Sequence, residues 1–222
     1  MTQPAGPDMN KGCCAAALTR PARQVHLAVL AAFAQTGRTP MRGELERIAR
    51  AGGADPVAVL AELAGRDVIA FGHAGEIRAA YPFSPFPTPI RASWEGGPVT
   101  YAMCAIDALG ISAMLGRPVT ITAAEPGTDR IITVHAEHDY ARWDPPGAVV
   151  FDGATGGDSK AADRTCGYIN FFTTARAART WARANPAVTG TVLGQARALS
   201  KGVAEFGAFM QAGDAPAGSD QT

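Results

Sequence analysis

The sequence predicts an α+β fold: an N-terminal winged-helix-like three-helix domain, then a mostly antiparallel β-sheet domain flanked by helices. Three observations predict it. Apolar residues recur at helical spacing in three segments before residue 66. The stretch Tyr81-Pro-Phe-Ser-Pro-Phe-Pro-Thr-Pro89 then places four prolines in nine residues. Beyond it, strand-like segments joined by turns alternate with helical ones, the pattern of a sheet with helices packed against it.

Arg23–Gln35 carries Val25, Leu27, Ala28, Leu30, Ala31 and Phe33 in a broad apolar stripe. Arg42–Ala51 follows and stops at Gly52-Gly53. Asp55-Pro56 supplies an N-cap and a first-turn proline for a helix running to about Gly65. Asp67–Phe71 and Glu76–Ala80 flank Gly72-His-Ala-Gly75 as a short hairpin, completing the winged-helix outline. Tyr81–Pro89 cannot continue a helix or occupy a central strand, and reads as an extended linker with buried aromatic anchors. After it, Val99–Met103 leads into a helix from about Cys104 to Leu115, ended by Gly116-Arg-Pro118. Strands are expected at Val119–Ala124, Ile131–Glu137, Ala148–Asp152 and Gly167–Thr174. Turns such as Glu125-Pro-Gly-Thr128 make the sheet antiparallel. Helices are expected at Thr174–Asn185, closed by Pro186, and from about Gly194 to Met210. The division is a flexible tail (1–18), a winged-helix-like domain (19–80), a catalytic domain (81–211) and a second tail (212–222).

Composition narrows the function. The chain has 222 residues, 47% hydrophobic and 18% charged, as a globular protein with a sizeable core does. Lys plus Arg equals Asp plus Glu at 20 each, so no net field draws in nucleic acid or an anionic membrane. The start is polar and Pro-rich, without the apolar run of a signal peptide, and no stretch approaches the ~20 apolar residues of a membrane span. A cytoplasmic location is expected, in which Cys13, Cys14, Cys104 and Cys166 are thiols rather than disulfides.

Chemistry concentrates around Cys104 and Asp107. Three residues apart at a helix start, they share one face, about one turn apart. Unpaired N–H groups at a helix start favour a thiolate, lowering a thiol from its ordinary pKa of about 8.5. The rest of the helix is apolar (Ile106, Leu109, Ile111, Met114, Leu115), so a carboxylate there is either exposed or held for a purpose. Cys166 precedes the strand Gly167-Tyr-Ile-Asn-Phe-Phe172, and only the fold can bring it to Cys104.

The run Tyr101-Ala-Met-Cys-Ala-Ile-Asp-Ala-Leu-Gly-Ile-Ser-Ala-Met-Leu-Gly-Arg117 resembles the catalytic helix of the organomercurial (alkylmercury) lyases. Thr165-Cys-Gly-Tyr-Ile-Asn-Phe-Phe172 resembles that family's second cysteine motif, and the likeness extends over roughly Arg20 to Met210, including the helix of Trp181. It implies a lyase that cleaves carbon–mercury bonds by protonolysis, with Cys104, Asp107 and Cys166 catalytic and the same three residues holding the mercury of substrate and product. It also implies alkyl- and arylmercury substrates and mercury detoxification. No cofactor is implied beyond excess small thiol for turnover, and Hg(II) would be handed to a mercuric reductase. No nucleic-acid or membrane partner is expected, and the chain would be a monomer or homodimer. Mercury is a soft ion and thiolate the softest protein ligand, so the chemistry fits the residues. Tyr101, Met103 and the apolar helix are expected to wall the hydrocarbon. The sequence departs from familiar members at Met103, often aromatic, at Gly167, a further cysteine in some, and at Ala123-Ala124, where some carry a structural cysteine.

Other signals are weaker. Cys13-Cys14 can capture mercury, but incidental exposed thiols account for it equally well. His135-Ala-Glu-His138 alternates across a strand and lacks the three or four convergent ligands a metal site needs. Gly153-Ala-Thr-Gly-Gly-Asp-Ser-Lys160 lacks a P-loop ending and reads as a flexible loop near Cys166. The alternative function is a thiol-based mercury- or redox-sensing winged-helix regulator, or a non-catalytic mercury-binding protein. Against a DNA reader, the third helix has Asp55 and Glu62 and no basic residue before Arg66. Residues 1–80 hold nine Lys/Arg against seven Asp/Glu, too even a balance for phosphate neutralisation. Against a mere sink, Asp107 supplies a proton donor that a sink does not need.

Overall fold

The computed structural model describes residues 11–155 and 166–210. Helices α1 (Lys11–Ala16), α2 (Arg20–Thr36), α3 (Arg42–Ala51) and α4 (Pro56–Gly65) lead into the hairpin β1 (Ile69–Phe71) and β2 (Ile77–Ala80). Then come β3 (Phe83–Ser84), β4 (Ile90–Ser93), β5 (Val99–Ala102), α5 (Ala105–Leu115), β6 (Val119–Ala124), β7 (Ile131–Glu137), β8 (Tyr140–Asp144) and β9 (Val149–Thr155). A 3-10 turn (Cys166–Tyr168) precedes β10 (Asn170–Phe172), α6 (Ala175–Ala184), β11 (Val188–Leu193) and α7 (Gln195–Phe206). Eight strands form one sheet in the order β1-β2-β3-β5-β4-β6-β7-β8, and β10-β9-β11 form a second, every pairing antiparallel. The α+β class and the mostly antiparallel sheet are as expected.

Local signals explain most boundaries. Asp55 caps α4, its carboxylate accepting the Val57 N–H at 3.2 Å, with Pro56 at the first position. The Pro126-Gly127 turn joins β6 to β7, with Gly127 at φ +74° and the Thr128 N–H on the Glu125 carbonyl at 3.1 Å. That left-handed position favours glycine.

Two expectations are corrected. Lys11–Ala16, assigned to the tail, is helical, because Ala15 and Leu18 are buried and the Lys11 ammonium reaches the Asp67 carboxylate at 2.5 Å. The proline-rich stretch does enter the sheet. Phe83 and Ser84, with their own N–H groups intact between Pro82 and Pro85, form β3 and join β2 to β5. Phe83 stacks on Phe33 of α2 at 5.1 Å, so the linker's aromatic anchor couples the helices to the sheet. Tyr81 and Phe83 are buried, whereas Phe86 is exposed. Strands β4, β8 and β11 were not anticipated.

One apolar core runs from Ala15 to Phe209 and spans both sides of the proline-rich stretch. A smaller cluster lies between the second sheet and α6, where Trp181 meets Phe151 and Phe172 at 5.5 and 5.7 Å. Helix α5 is at the centre. Every residue from Ala105 to Met114 is buried, as expected of a helix apolar all round. It packs on α7 so closely that a Cβ at Gly110 would stand 2.5 Å from the Gly202 carbonyl oxygen. The two glycines let the backbones touch and hold the start of α5 in place.

Candidate active site

Cys104 lies where β5 ends and α5 begins. Its backbone is extended (φ −155°, ψ −179°), and its sulfur takes the capping role, accepting the Asp107 N–H at 3.4 Å. The Asp107 side chain is therefore held one turn above the sulfur. Cys166 opens the 3-10 turn before β10, and the Ile169 carbonyl accepts the Ala105 N–H at 3.0 Å. This bond ties the segment after Cys166 to the first turn of α5. One donor atom from each of Cys104, Asp107 and Cys166 lies within 4.8 Å of the others, the one such cluster among the described residues. The three residues singled out from sequence are thus together.

The site is dry. Cys104 is 2% exposed, Asp107 5% and Cys166 7%. Burial pushes the Cys104 thiol well above its usual range, and its neighbours Cys166 and Asp107 push it further; the Asp107 N–H opposes them. The expectation that the helix start yields a resting thiolate is corrected. One amide and a helix terminus do not offset the loss of water around a fully buried sulfur. Burial also raises Asp107 well above the carboxylate range, helped by Cys166 and Glu205, against the Lys11 charge and the Cys104 hydrogen bond. Burial thus favours the protonated form of both Cys104 and Asp107. Asp107 Oδ2 is buried without a hydrogen-bond partner.

Two residues near the trio carried no sequence signal of that role. Lys11 reaches the site's edge from α1, donating to the Asp67 carboxylate and to its carbonyl at 2.8 Å. Its Nζ stands 4.1 Å from the centre of the Tyr81 ring. Tyr81 is 1% exposed, and its hydroxyl has no partner. Only long-range pairing reveals either, since Lys11 sits among tail-like residues and Tyr81 among prolines.

The remaining candidates fall elsewhere. Tyr101, expected as a wall, lies on the strand face opposite Ala102, its ring centre 5.9 Å from the Arg91 guanidinium. Met103 is half-buried against the core. His135 is exposed with Nδ1 3.1 Å from the Thr120 hydroxyl, and His138 sits in the β7–β8 turn at φ +53°. A cleft of about 860 Å³ holds Trp94, Arg117, His135 and Glu137 beyond the far end of α5, and none of the trio lines it. Cys13 is exposed and Cys14 half-buried on α1. Of the glycine-rich loop, residues 153–155 end β9 and 156–160 lie outside the described residues, as does the 212–222 tail. No helix among the described residues is long and apolar enough to cross a membrane.

Known proteins resemble this chain over much of its length. The MerB alkylmercury lyase family model matches residues 83–207, from β3 to the end of α7. An alkylmercury lyase of Streptomyces lividans is 28% identical over 176 residues, 78% of this chain and 79% of that protein. One from Staphylococcus epidermidis is 32% identical over 102 residues, 45% of this chain and 46% of that protein. Among solved structures, the crystal structure of the mercury-bound form of MerB2 has a TM-score of 0.72 at 22% identity, covering 92% of this chain and 100% of that one. At that identity the likeness is one of fold. With the family model matched over more than half its length, the chain belongs to the alkylmercury lyase family.

Proposed function

We propose that Cys104, Cys166 and Asp107 carry out the protonolysis of carbon–mercury bonds, the reaction of the lyase family to which the chain belongs. The observation that carries this reading is the convergence of two thiols and one carboxyl within 4.8 Å in a dry site, where burial raises the carboxyl well above the carboxylate range. The substrate brings positive charge to the site. A cation R–Hg⁺ reverses the local electrostatics, and a coordinating thiol loses its proton outright.

Cys104 loses its proton to solvent as its sulfur bonds mercury. Asp107 delivers its own proton to the carbon as the C–Hg bond breaks, and that electron pair becomes the new C–H bond. The Cys166 thiol bonds the mercury as a thiolate and returns its proton to Asp107. The balance is one R–Hg⁺ and two thiols giving R–H, a dithiolate-bound Hg(II) and one H⁺. Two small thiols then exchange for the protein's pair, restoring both cysteines. Burial opposes the loss of the Cys104 proton, which bonding to mercury drives, and favours the proton transfers that follow, because charge moves between fixed groups without reorganisation of water.

The same reading extends to substrates and context. Alkyl- and arylmercurials are the substrates, the product Hg(II) passes to a mercuric reductase, and the protein works in the cytoplasm as a monomer or homodimer. Residues 19–80 act as a winged-helix-like cover for residues 81–211. Phe33 and His26 of α2 support a packing role, since their rings meet Phe83 and Phe209 at 5.1 and 5.3 Å, while Glu62 of α4 is engaged by the N–H and hydroxyl of Thr19 at 2.7 Å.

Incubation with phenylmercury or methylmercury in excess small thiol, followed by gas chromatography, tests the reading. Benzene or methane should appear over many turnovers. Mercury retained without hydrocarbon would instead indicate the sensor or sink.

A further inference from the structure

The β3–β5 ladder pairs Phe83 with Ala102 and Ser84 with Tyr101. It continues one step further, as the Met103 N–H donates to the Pro82 carbonyl at 3.0 Å. This bond sets Pro82, the residue after Tyr81, against Met103, the residue before Cys104, while Tyr81 itself turns back toward β1, its N–H on the Val68 carbonyl at 3.3 Å. Tyr81 is 1% exposed, yet its hydroxyl has no hydrogen-bond partner. An orphaned buried hydroxyl costs free energy, and such groups persist where function uses them. Asp107 Oδ2 is the other orphan of this site. One is a donor, the other an acceptor.

Electrostatics agree that Tyr81 faces the trio. Burial raises the phenol first, then negative charge on Cys166, Asp67, Asp107 and Cys104 raises it further, so the hydroxyl keeps its proton. The Lys11 ammonium lies on the face of the ring and is itself bonded to Asp67, so it fixes the ring without occupying the hydroxyl.

We propose that the Tyr81 hydroxyl is a further hydrogen-bond donor of the active site, idle at rest and donating to the Cys166–Asp107 pair once the reaction at mercury has removed a proton from that pair. The proposal rests on the lyase reading. A donor already in place stabilises charge that exists only during turnover, so Tyr81 raises kcat more than it tightens substrate capture.

Tyr81→Phe deletes the hydroxyl and keeps the ring, and no hydrogen bond of the resting fold is lost with it. Wild type and variant would be compared for phenylmercury capture, benzene release, thermal midpoint, and tyrosine resonance Raman with and without mercuric ion. The expected result is unchanged capture, an unchanged or higher midpoint, and kcat lower by about tenfold or more. Mercuric ion should also shift one tyrosine of the wild type toward a strong donor, a shift absent from the variant. Equal kcat would overturn the role of Tyr81 and leave the lyase reading standing. So would a fall in kcat with a lowered midpoint and no Raman shift, which marks a structural residue. No benzene from the wild type would overturn both.

Discussion

The Asp107 N–H donates to the Cys104 sulfur at 3.4 Å, while Asp107 Oδ2, at the other end of the same residue, is buried without a partner. One residue thus serves the two demands of the site. Its backbone steadies the Cys104 sulfur, and burial raises its side chain toward the protonated form that the proposed reaction needs.

Asp107→Asn should separate those roles. Burial raises the folded-state pKa of Asp107 above its unfolded value. The folded protein therefore binds this proton more tightly. Its contribution to stability is full below the unfolded pKa of about 3.9 and is lost as pH rises toward the folded value. At neutral pH the neutral amide should melt higher than wild type, by about 1–3 kcal/mol of stability. Hydrocarbon release should fall by about 10²–10⁴-fold. Thermal melts across pH, beside benzene assays, would check both.

His26 should show the opposite sign. It is 1% exposed, its Nε2 has no partner, and it meets Phe209 edge-on at 5.3 Å. Burial first, then the Arg23 charge, lowers its pKa from 6.5 to about 4. The unfolded chain binds this proton more readily, so stability present above pH 6.5 is lost as pH falls toward 4. The effect is about 3 kcal/mol. His26→Leu should flatten that acid limb in urea titrations, and an unchanged limb would contradict the account.

Much of the site was legible in the sequence. Cys104 and Asp107 stand at i and i+3 of a helix start, and local chemistry alone fixes that pairing. Cys166 was legible as the residue before an apolar strand, but its meeting with Cys104 needs the Ala105–Ile169 bond, which no local pattern encodes. Missed elements share that cause. Strand β8 buries only Trp143, which reaches Phe171 of the other sheet at 5.6 Å. Strand β3 has two residues between prolines, too few to show a period. Helix α1 holds by Lys11 to Asp67, 56 residues away. The state of the thiol was misjudged because burial, which decides it, is a property of the whole fold.

Glu125 tests how the Cys166 segment is anchored. Its buried carboxylate accepts the Thr173 N–H at 2.7 Å and hydroxyl at 2.6 Å, and Arg130 pairs with it at 3.3 Å. These bonds pin the end of β10, seven residues after Cys166. Glu125→Ala leaves two donors unsatisfied and should cost about 2–4 kcal/mol. The denaturant midpoint should drop accordingly, with loss of mercury capture at temperatures where the wild type still binds.

Lys11 and Asp67 test whether α1 belongs to the folded unit. Their side chains are 6% and 8% exposed. Removing one charge from a buried pair strands the other, a cost of about 3–5 kcal/mol. Lys11→Met should lower the denaturant midpoint by that amount, or release α1, which hydrogen exchange would detect. A silent substitution would contradict the docking of α1.

The central claim is that two thiols and one carboxyl act as a unit. Its most direct test is benzene release from phenylmercury in excess small thiol by wild type, Cys104→Ser, Cys166→Ser and Asp107→Ala, each confirmed folded. The account predicts sustained release by the wild type and near-complete loss in all three variants. Release that survives in any one of them would remove that residue from the reaction and contradict the account.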